Sequence, residues 1–340
     1  MVTPKNNHVF VVVPNWNGAD KLATCLDSLL AQSHTATIVV VENGSTDGSA
    51  QVLEKYPDVV VLPQLKNLGF AGGVNVGFRY AIEQGAELVA AFNNDAIADK
   101  NWLQNLVKTM QSDNKVGIVT GKLLNSAGDR LDSTGEFYTT WGLPYPRGRG
   151  EDNLDKYDHQ TEIFAASGGA SLYRVKMLEQ IGLFDEKFFA YYEDVDLSFR
   201  AQLAGWKITY VPTALAYHQI GATTSKIKGF TTYQTMKNLP LLLRKNLPLS
   251  LGLKVGLRFW LAYLSFFASA VARGQFWPAF KGLMMTFGLL PHTLKERRKI
   301  QKNRQVSVDY INEILVHDLP PAAERLRNLR ARWWKLRGKV

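Results

Sequence analysis

A single cysteine, Cys25, stands among 340 residues, so one chain can build neither a disulfide framework nor a cysteine-based metal site. Zinc fingers and iron–sulfur clusters are excluded, and a reducing compartment is expected. A secretory signal is not expected either. Residues 1–8 are polar, and the apolar run at 9–13 is short, with little positive charge ahead of it, so the cytosolic side is the expected place. The glycine fingerprint of dinucleotide-binding folds is missing as well: residues 14–20 hold only Gly18 where Gly-x-Gly-x-x-Gly would be needed. This argues against a nicotinamide or flavin oxidoreductase. Long apolar runs are absent too, because residues 239–290 are rich in Leu, Phe, Trp and Met but interrupted by Arg244, Lys245, Lys254, Arg258, Arg273 and Lys281. The longest uncharged stretch there, 259–272, is shorter than the roughly 20 apolar residues of a spanning helix. Interfacial helices are expected instead of a transmembrane span. The same helices could form an ordinary helical subdomain or the interface of a homo-oligomer.

With 46% apolar residues, the chain can bury one large core or two smaller ones. Its formal charge of +10 is concentrated at one end, where residues 292–340 hold 13 Lys/Arg against 5 Asp/Glu. Such a tail suits nucleic acid, anionic lipid or plain solubility. Trp333 and Trp334 amid Arg and Lys, following the apolar segment, favour a lipid headgroup region over nucleic acid.

The first two hundred residues alternate β-branched runs with amphipathic stretches. Strands are expected at 10–13, 38–41, 59–62, 88–92, 117–120, 208–211 and 215–217, and helices at 21–32, 48–55, 74–84, 102–110, 175–181 and 193–204. Ser45 or Asp47 would cap the second helix. Strands separated by crossover helices imply an α/β, largely parallel, doubly wound sheet, with ligands at the carboxyl ends of the strands. Residues 126–160 lack periodicity and read as a long loop or irregular hairpin.

Four clusters and a histidine carry the chemistry. After the second expected strand, Glu42-Asn43-Gly44-Ser45-Thr46-Asp47-Gly48-Ser49 offers a carboxylate for a pyrimidine imide N–H and polar groups for base and ribose. A capped turn explains the same residues without a ligand. Residues 67–77 put Gly69, Gly72, Gly73 and Gly77 at the opening of a helix, suiting close approach to a diphosphate. Asn93-Asn94-Asp95 ends an apolar strand and could hold a hard divalent cation, Mg2+ or Mn2+, or simply form a turn. Tyr191 and Tyr192 lead into Glu193, Asp194 and Asp196 at a helix start. One or two acids suffice for capping, so three beside aromatic surface point to a carboxylate tuned for base catalysis. His218 ends the strand that follows.

Taken together, these residues resemble the family-2 glycosyltransferases of the GT-A fold, most closely their rhamnosyltransferase-like branch. The similarity covers residues 9–224, and the Gly-Ala-Ser, Ile-Gly-Leu-Phe-Asp-Glu and Tyr-Tyr-Glu-Asp-Val-Asp-Leu segments of 169–206 carry most of it. It implies a GT-A mixed sheet at 1–225, while composition leads to the expectation of a helical, basic, membrane-associating region at 226–340. It implies that Asp194 is the catalytic base, that Glu193 positions the acceptor, and that Asp95 and His218 bind Mg2+ or Mn2+. Glu42 would read the base, with Pro14, Asn15, Asn17, Asn43, Ser45, Asn67, Gly72, Asn75, Asn94 and Asp95 around the nucleotide-sugar. Two positions depart from the commoner family pattern: Glu42 replaces Asp, and Asn93-Asn94-Asp95 replaces Asp-x-Asp, although Asn-Asn-Asp is common in the rhamnosyltransferase-like branch.

The resemblance implies a nucleotide-diphosphate sugar as donor, dTDP-L-rhamnose before a UDP-hexose or UDP-galactofuranose, and the apolar, cation-studded carboxyl region adds the expectation of a lipid-linked saccharide of a bacterial surface polysaccharide as acceptor. The expected place is the cytoplasmic face of the cell membrane, bound peripherally to anionic lipid. A sugar nucleotidyltransferase would want a basic, glycine-rich loop near residues 14–21, which is lacking. A non-catalytic sugar-nucleotide-binding protein is the other alternative.

Overall fold

The computed structural model describes residues 8–219, 227–321, 323, 327 and 328. In chain order it contains β1 (Val9–Asn15), α1 (Ala19–Leu30), β2 (Thr37–Glu42), α2 (Ser49–Leu53), β3 (Val60–Pro63), α3 (Gly69–Glu83), β4 (Leu88–Phe92), β5 (Ala96–Ala98) and α4 (Trp102–Ser112). There follow β6 (Val116–Asn125), β7 (Leu131–Ser133), β8 (Glu136–Tyr138), β9 (Pro144–Pro146), β10 (Thr161–Glu162), β11 (Ala170–Arg174), α5 (Val175–Ile181), α6 (Glu193–Leu203) and β12 (Lys207–His218). Five helices close the described chain: α7 (Phe230–Asn246), α8 (Leu249–Ala272), α9 (Phe276–Gly288), α10 (Leu290–Lys302) and α11 (Val308–Ile314). The chain divides into two compact units, 1–136 with 146–227, and 137–145 with 228–340. Residues 137–145 thus group with the helices, which a single division near 225 does not anticipate; that division itself falls outside the described residues.

The first unit is built on a sheet ordered β10-β12-β6-β11-β4-β1-β2-β3. Strands β3, β2, β1 and β4 run parallel, and β11 enters antiparallel between β4 and β6, which makes the sheet mixed. Period-two alternation sorts β1 between two cores: Val9, Val11 and Val13 pack on one face with Leu22, Cys25 and Leu26 of α1, and Phe10 and Val12 on the other with Val74 and Phe78 of α3. Burial pushes the Cys25 thiol up, so it stays protonated and inert.

Three elements differ from expectation for identifiable reasons. Helix α3 starts at Gly69, five residues early, because its glycines serve packing inside the protein. A Cβ at Gly77 would lie 2.3 Å from a Val12 methyl, and one at Gly69 would lie 2.4 Å from the Phe189 carbonyl oxygen. The two strands expected at 208–217 are one, β12, with an irregularity between Val211 and Leu215 where Pro212 has no N–H to give. Asp47 accepts from Ser49 N at 3.0 Å, but Gly48 occupies the cap position of α2. Residues 126–160 hold only short strands and one 3-10 turn.

In the second unit, α9 crosses α7 closely at Gly282, where a Cβ would meet the Tyr233 carbonyl oxygen at 2.5 Å. Arg297 donates to the carbonyls of Arg244 and Leu247, both at 2.7 Å, closing the carboxyl end of α7. Helix α8 is longer than the uncharged stretch 259–272 from which interfacial helices are expected. Its 24 residues have a window of mean hydropathy 1.5, long and apolar enough to cross a membrane by length and composition. Lys254 and Arg258 interrupt the apolar run without ending the helix. Leu249, Leu253, Leu257, Leu261 and Leu264 form an exposed stripe along it.

Candidate active site

The site is assembled at the carboxyl ends of β1, β2 and β4, where a doubly wound sheet leaves room for a ligand. Asn15 at the end of β1 is fully buried. It donates to Glu42 Oε2 at 2.7 Å and accepts from Asn94 Nδ2 at 2.7 Å, joining the ends of three strands in one chain of side chains. Gly18 is required where they cross, because a Cβ there would sit 2.2 Å from Asn94 Nδ2. Ser45 N donates to the other Glu42 oxygen at 2.9 Å, so the carboxylate is fixed in direction. Asn17, at φ 49°, accepts from Thr46 N and donates its own N–H to Ser45 Oγ. Asn43 is clamped to Asn67 and to the backbone at Leu68 and Gly69. Pro14 packs against the backbone at Gly73.

Two expected nucleotide residues are placed differently. The Asn75 amide exchanges two hydrogen bonds with the Phe184 backbone, at 2.8 and 3.0 Å, and ties α3 to the segment before α6. Gly72 faces Leu68 across one turn of its own helix. For the rest the structure brings Asn15, Asn17, Glu42, Asn43, Ser45, Asn67 and Asn94 into one polar network.

Asp95 and His218 meet, with Oδ1 and Nε2 3.1 Å apart. The other ring nitrogen, Nδ1, lies 2.7 Å from Asp132 Oδ2. Burial by itself lowers the imidazole pKa, but the bonds to Asp132 and Asp95 outweigh it and raise the ring to about 9. The pair fits a divalent cation: an oxygen and an imidazole nitrogen converge, and the opposite nitrogen is held as a donor. Among the described residues no three His, Cys, Asp or Glu side chains form a metal group. Two protein ligands suit an ion that takes its remaining ligands from water and phosphate, as Mg2+ does.

The third cluster joins this one through the loop before β11. Asn93 N donates to the Gly169 carbonyl at 2.9 Å, and Gly168 N donates to Asp194 Oδ2 at 2.8 Å. Phe189, Tyr191 and Tyr192 all have φ between 65° and 71° on the way into α6. Three such non-glycine residues in four positions are backbone strain of the kind that collects at functional sites. Asp194 opens toward this loop, and burial raises its carboxyl above the ordinary range against the pull of the Gly168 and Val195 N–H groups. Glu193 beside it is buried.

Asp196 is different from its neighbours. It is fully buried in an ion pair with Arg200 at 2.9 Å, and Arg200 also binds the carbonyls of Ile181, Gly182 and Leu183. This third acid therefore braces α6 against the end of α5, and two carboxylates remain for chemistry. The sequence reading missed Asp132, Arg149, Gly18 and Glu136. Glu136 lies near Asp194, and burial followed by that neighbour pushes its carboxyl well up.

Residues 4–236 match the protein family described as "Glycosyltransferase like family 2". The chain belongs to the family-2 glycosyltransferases. It is 28% identical over 56% of its length to the low-salt glycan biosynthesis hexosyltransferase Agl10 of Haloferax volcanii, and the match spans 61% of that relative, less than two thirds. It is 27% identical to the N-acetylglucosaminyl-diphospho-decaprenol L-rhamnosyltransferase of Mycobacterium tuberculosis, over 64% of this chain and 77% of the relative. Among solved structures, GalNAc-T7 with UDP, GalNAc and Mn2+ superposes with a TM-score of 0.61 at 14% identity, covering 86% of this glycosyltransferase and 58% of that chain. At such identity the likeness establishes the GT-A fold.

Proposed function

We propose that this glycosyltransferase moves a sugar, L-rhamnose from dTDP-L-rhamnose as the first choice, onto a hydroxyl of a lipid-linked saccharide in a single inverting displacement. The observation that carries the proposal is the continuous contact from Glu42 through Asn15 and Asn94 to Asp95, and from Asn93 through 168–169 to Asp194. This run of contacts supports reading Glu42 as base reader, Asp95 and His218 as cation pair and Asp194 as base of one site. The name of the mycobacterial relative supports the rhamnosyl and lipid-linked choices, and that of the haloarchaeal relative supports transfer of a hexose; a UDP-hexose is the second reading.

Asp194 removes the acceptor proton as the hydroxyl oxygen attacks the anomeric carbon from the face opposite the nucleotide. Glu193 positions the acceptor. Asp95 and His218 would hold Mg2+ or Mn2+, and such an ion would supply positive charge to balance the leaving diphosphate. Glycosyl transfer has oxocarbenium character, so positioning and charge neutralisation supply most of the rate.

Glu42, fixed by Asn15 and Ser45, should select pyrimidine nucleotides through the imide N–H. Competition of UDP, dTDP and GDP against donor turnover tests this. Inhibition by UDP or dTDP at least tenfold stronger than by GDP, about 1.4 kcal/mol, is expected, and equal inhibition by GDP removes the base-reading role.

The acceptor reading places the second unit on the cytoplasmic membrane surface. No carboxylate occurs between 197 and 295, and the exposed leucine stripe of α8 is accompanied by exposed Trp277 and Phe287 of α9. Each Lys or Arg near anionic lipid adds about 1 kcal/mol, screened by salt. Trp333, Trp334 and most of the final basic run lie outside the described residues. The full chain is expected to sediment with anionic vesicles at low salt and to be released by high salt with carbonate. No binding, or retention that only detergent reverses, contradicts peripheral attachment, the second result in favour of α8 as a span.

A further inference from the structure

Asp132 is a carboxylate at the site that the proposed reaction does not use. It belongs to β7, which pairs with β6 through Leu123↔Ser133 and Leu124↔Leu131. Strand β6 in turn pairs with β12, placing Asn125 opposite His218. Two successive pairings therefore deliver Asp132 to the end of the strand that carries the histidine. Its side chain is 2% exposed, and its Oδ2 lies 2.7 Å from His218 Nδ1. Arg149 Nη2 stands 2.9 Å from Oδ1, off the line of a good hydrogen bond but close enough to balance the charge. Arg149 Nε donates to the Asp132 carbonyl at 3.1 Å, which fixes the guanidinium against the same residue.

A carboxylate is expensive to bury, and burial is tolerated where the group is paired and hydrogen-bonded. Pairing to a ring nitrogen has a specific consequence. A carboxylate can only accept, so Nδ1 must be the donor, and the remaining lone pair of a neutral ring sits on Nε2. That nitrogen lies 3.1 Å from Asp95 Oδ1 and 3.1 Å from Asn93 Nδ2.

We propose that Asp132, braced by Arg149, is a positioning residue that fixes the orientation and tautomer of His218 as a cation ligand. This rests on the reading of Asp95 and His218 as the divalent-cation site. Arg149 is half exposed, so its role is to neutralise the buried acid from the solvent side. Residues 126–160, which carry both, are then part of the metal site and not a passive insertion.

The test is Mn2+ affinity measured by electron paramagnetic resonance of free Mn2+, with dTDP present, on the full-length protein. His218→Ala serves as the reference, and metal-free dTDP affinity is measured in parallel. Asp132→Asn is expected to lose about 10–100-fold in Mn2+ affinity, with metal-free dTDP affinity within twofold of the parent. Asp132→Glu should recover part of the loss, and Arg149→Gln should show a smaller loss in the same direction. If Asp132→Asn does not fold, the half-exposed Arg149→Gln carries the test by the same split. If His218→Ala loses Mn2+ affinity while the Asp132 and Arg149 variants match the parent, the positioning role is overturned and the cation site stands. Loss of metal-free dTDP affinity equal to the loss for Mn2+ shows a merely structural residue and also overturns it. If His218→Ala binds Mn2+ as the parent does, the cation site itself is wrong, and the inference falls with it.

Discussion

Asp194→Asn is expected to slow transfer by about 10²–10⁴-fold, the range of a lost general base, with donor affinity changed less than about twofold. The amide keeps the shape of the side chain and can still accept from Gly168 N, but it cannot take a proton. A group needed only in the transition state lowers kcat and kcat/KM together. The raised carboxyl adds a second signature. Because burial places the Asp194 pKa above the ordinary Asp range, the base form is lost as pH falls through that raised value, so the acid limb of kcat lies higher than for an exposed aspartate.

Linkage works in the same direction. A carboxyl whose folded pKa is raised favours the folded state below its unfolded pKa, and that contribution is lost as pH rises through the folded value. At neutral pH the buried anion is a cost, which Asn removes, while its NH2 group replaces one of the two oxygens that accept from Gly168 N and Val195 N. Loss of turnover in a folded variant is the expected result, and near-normal turnover would show that another group is the base.

The second large effect concerns the cation pair. Asp95→Ala and His218→Ala should each weaken donor binding on the order of 100-fold with Mn2+ present, about 2.7 kcal/mol. With EDTA, parent and variants should converge, because the diphosphate then has no ion to share. Titration calorimetry in both conditions separates the two cases. Full activity of the parent in EDTA would mean that neither residue holds a required ion.

What the sequence made legible follows from where its signals are strong. Strand β4 and helix α5 have the expected limits because an apolar five-residue run and a compact amphipathic turn each admit one reading. At α3 four glycines read as a ligand cradle, and the structure adds that Gly69 and Gly77 are close approaches to Phe189 and Val12. Three acids in four positions looked alike, but only Asp196 has an arginine four residues on, a spacing that could have marked it as a brace. Asp132 had no comparable signal. It lies in a stretch without period, and its meeting with His218, 86 residues away, exists only through the pairing of β7, β6 and β12. Helix α8 was underestimated because interrupting charges were taken as ends, whereas a helix carries Lys254 and Arg258 on its surface without stopping.

The central claim is that one crevice holds base reader, cation and catalytic carboxylate in that order. A crystal of the protein grown with dTDP and Mn2+, with diffraction collected for anomalous scattering from manganese, tests it most directly. The account predicts a manganese peak touching Asp95, His218 and the diphosphate, the thymine imide on Glu42, and Asp194 facing the diphosphate end of the nucleotide across 168–169. A nucleotide bound away from Glu42, or manganese bound to other side chains, would contradict it.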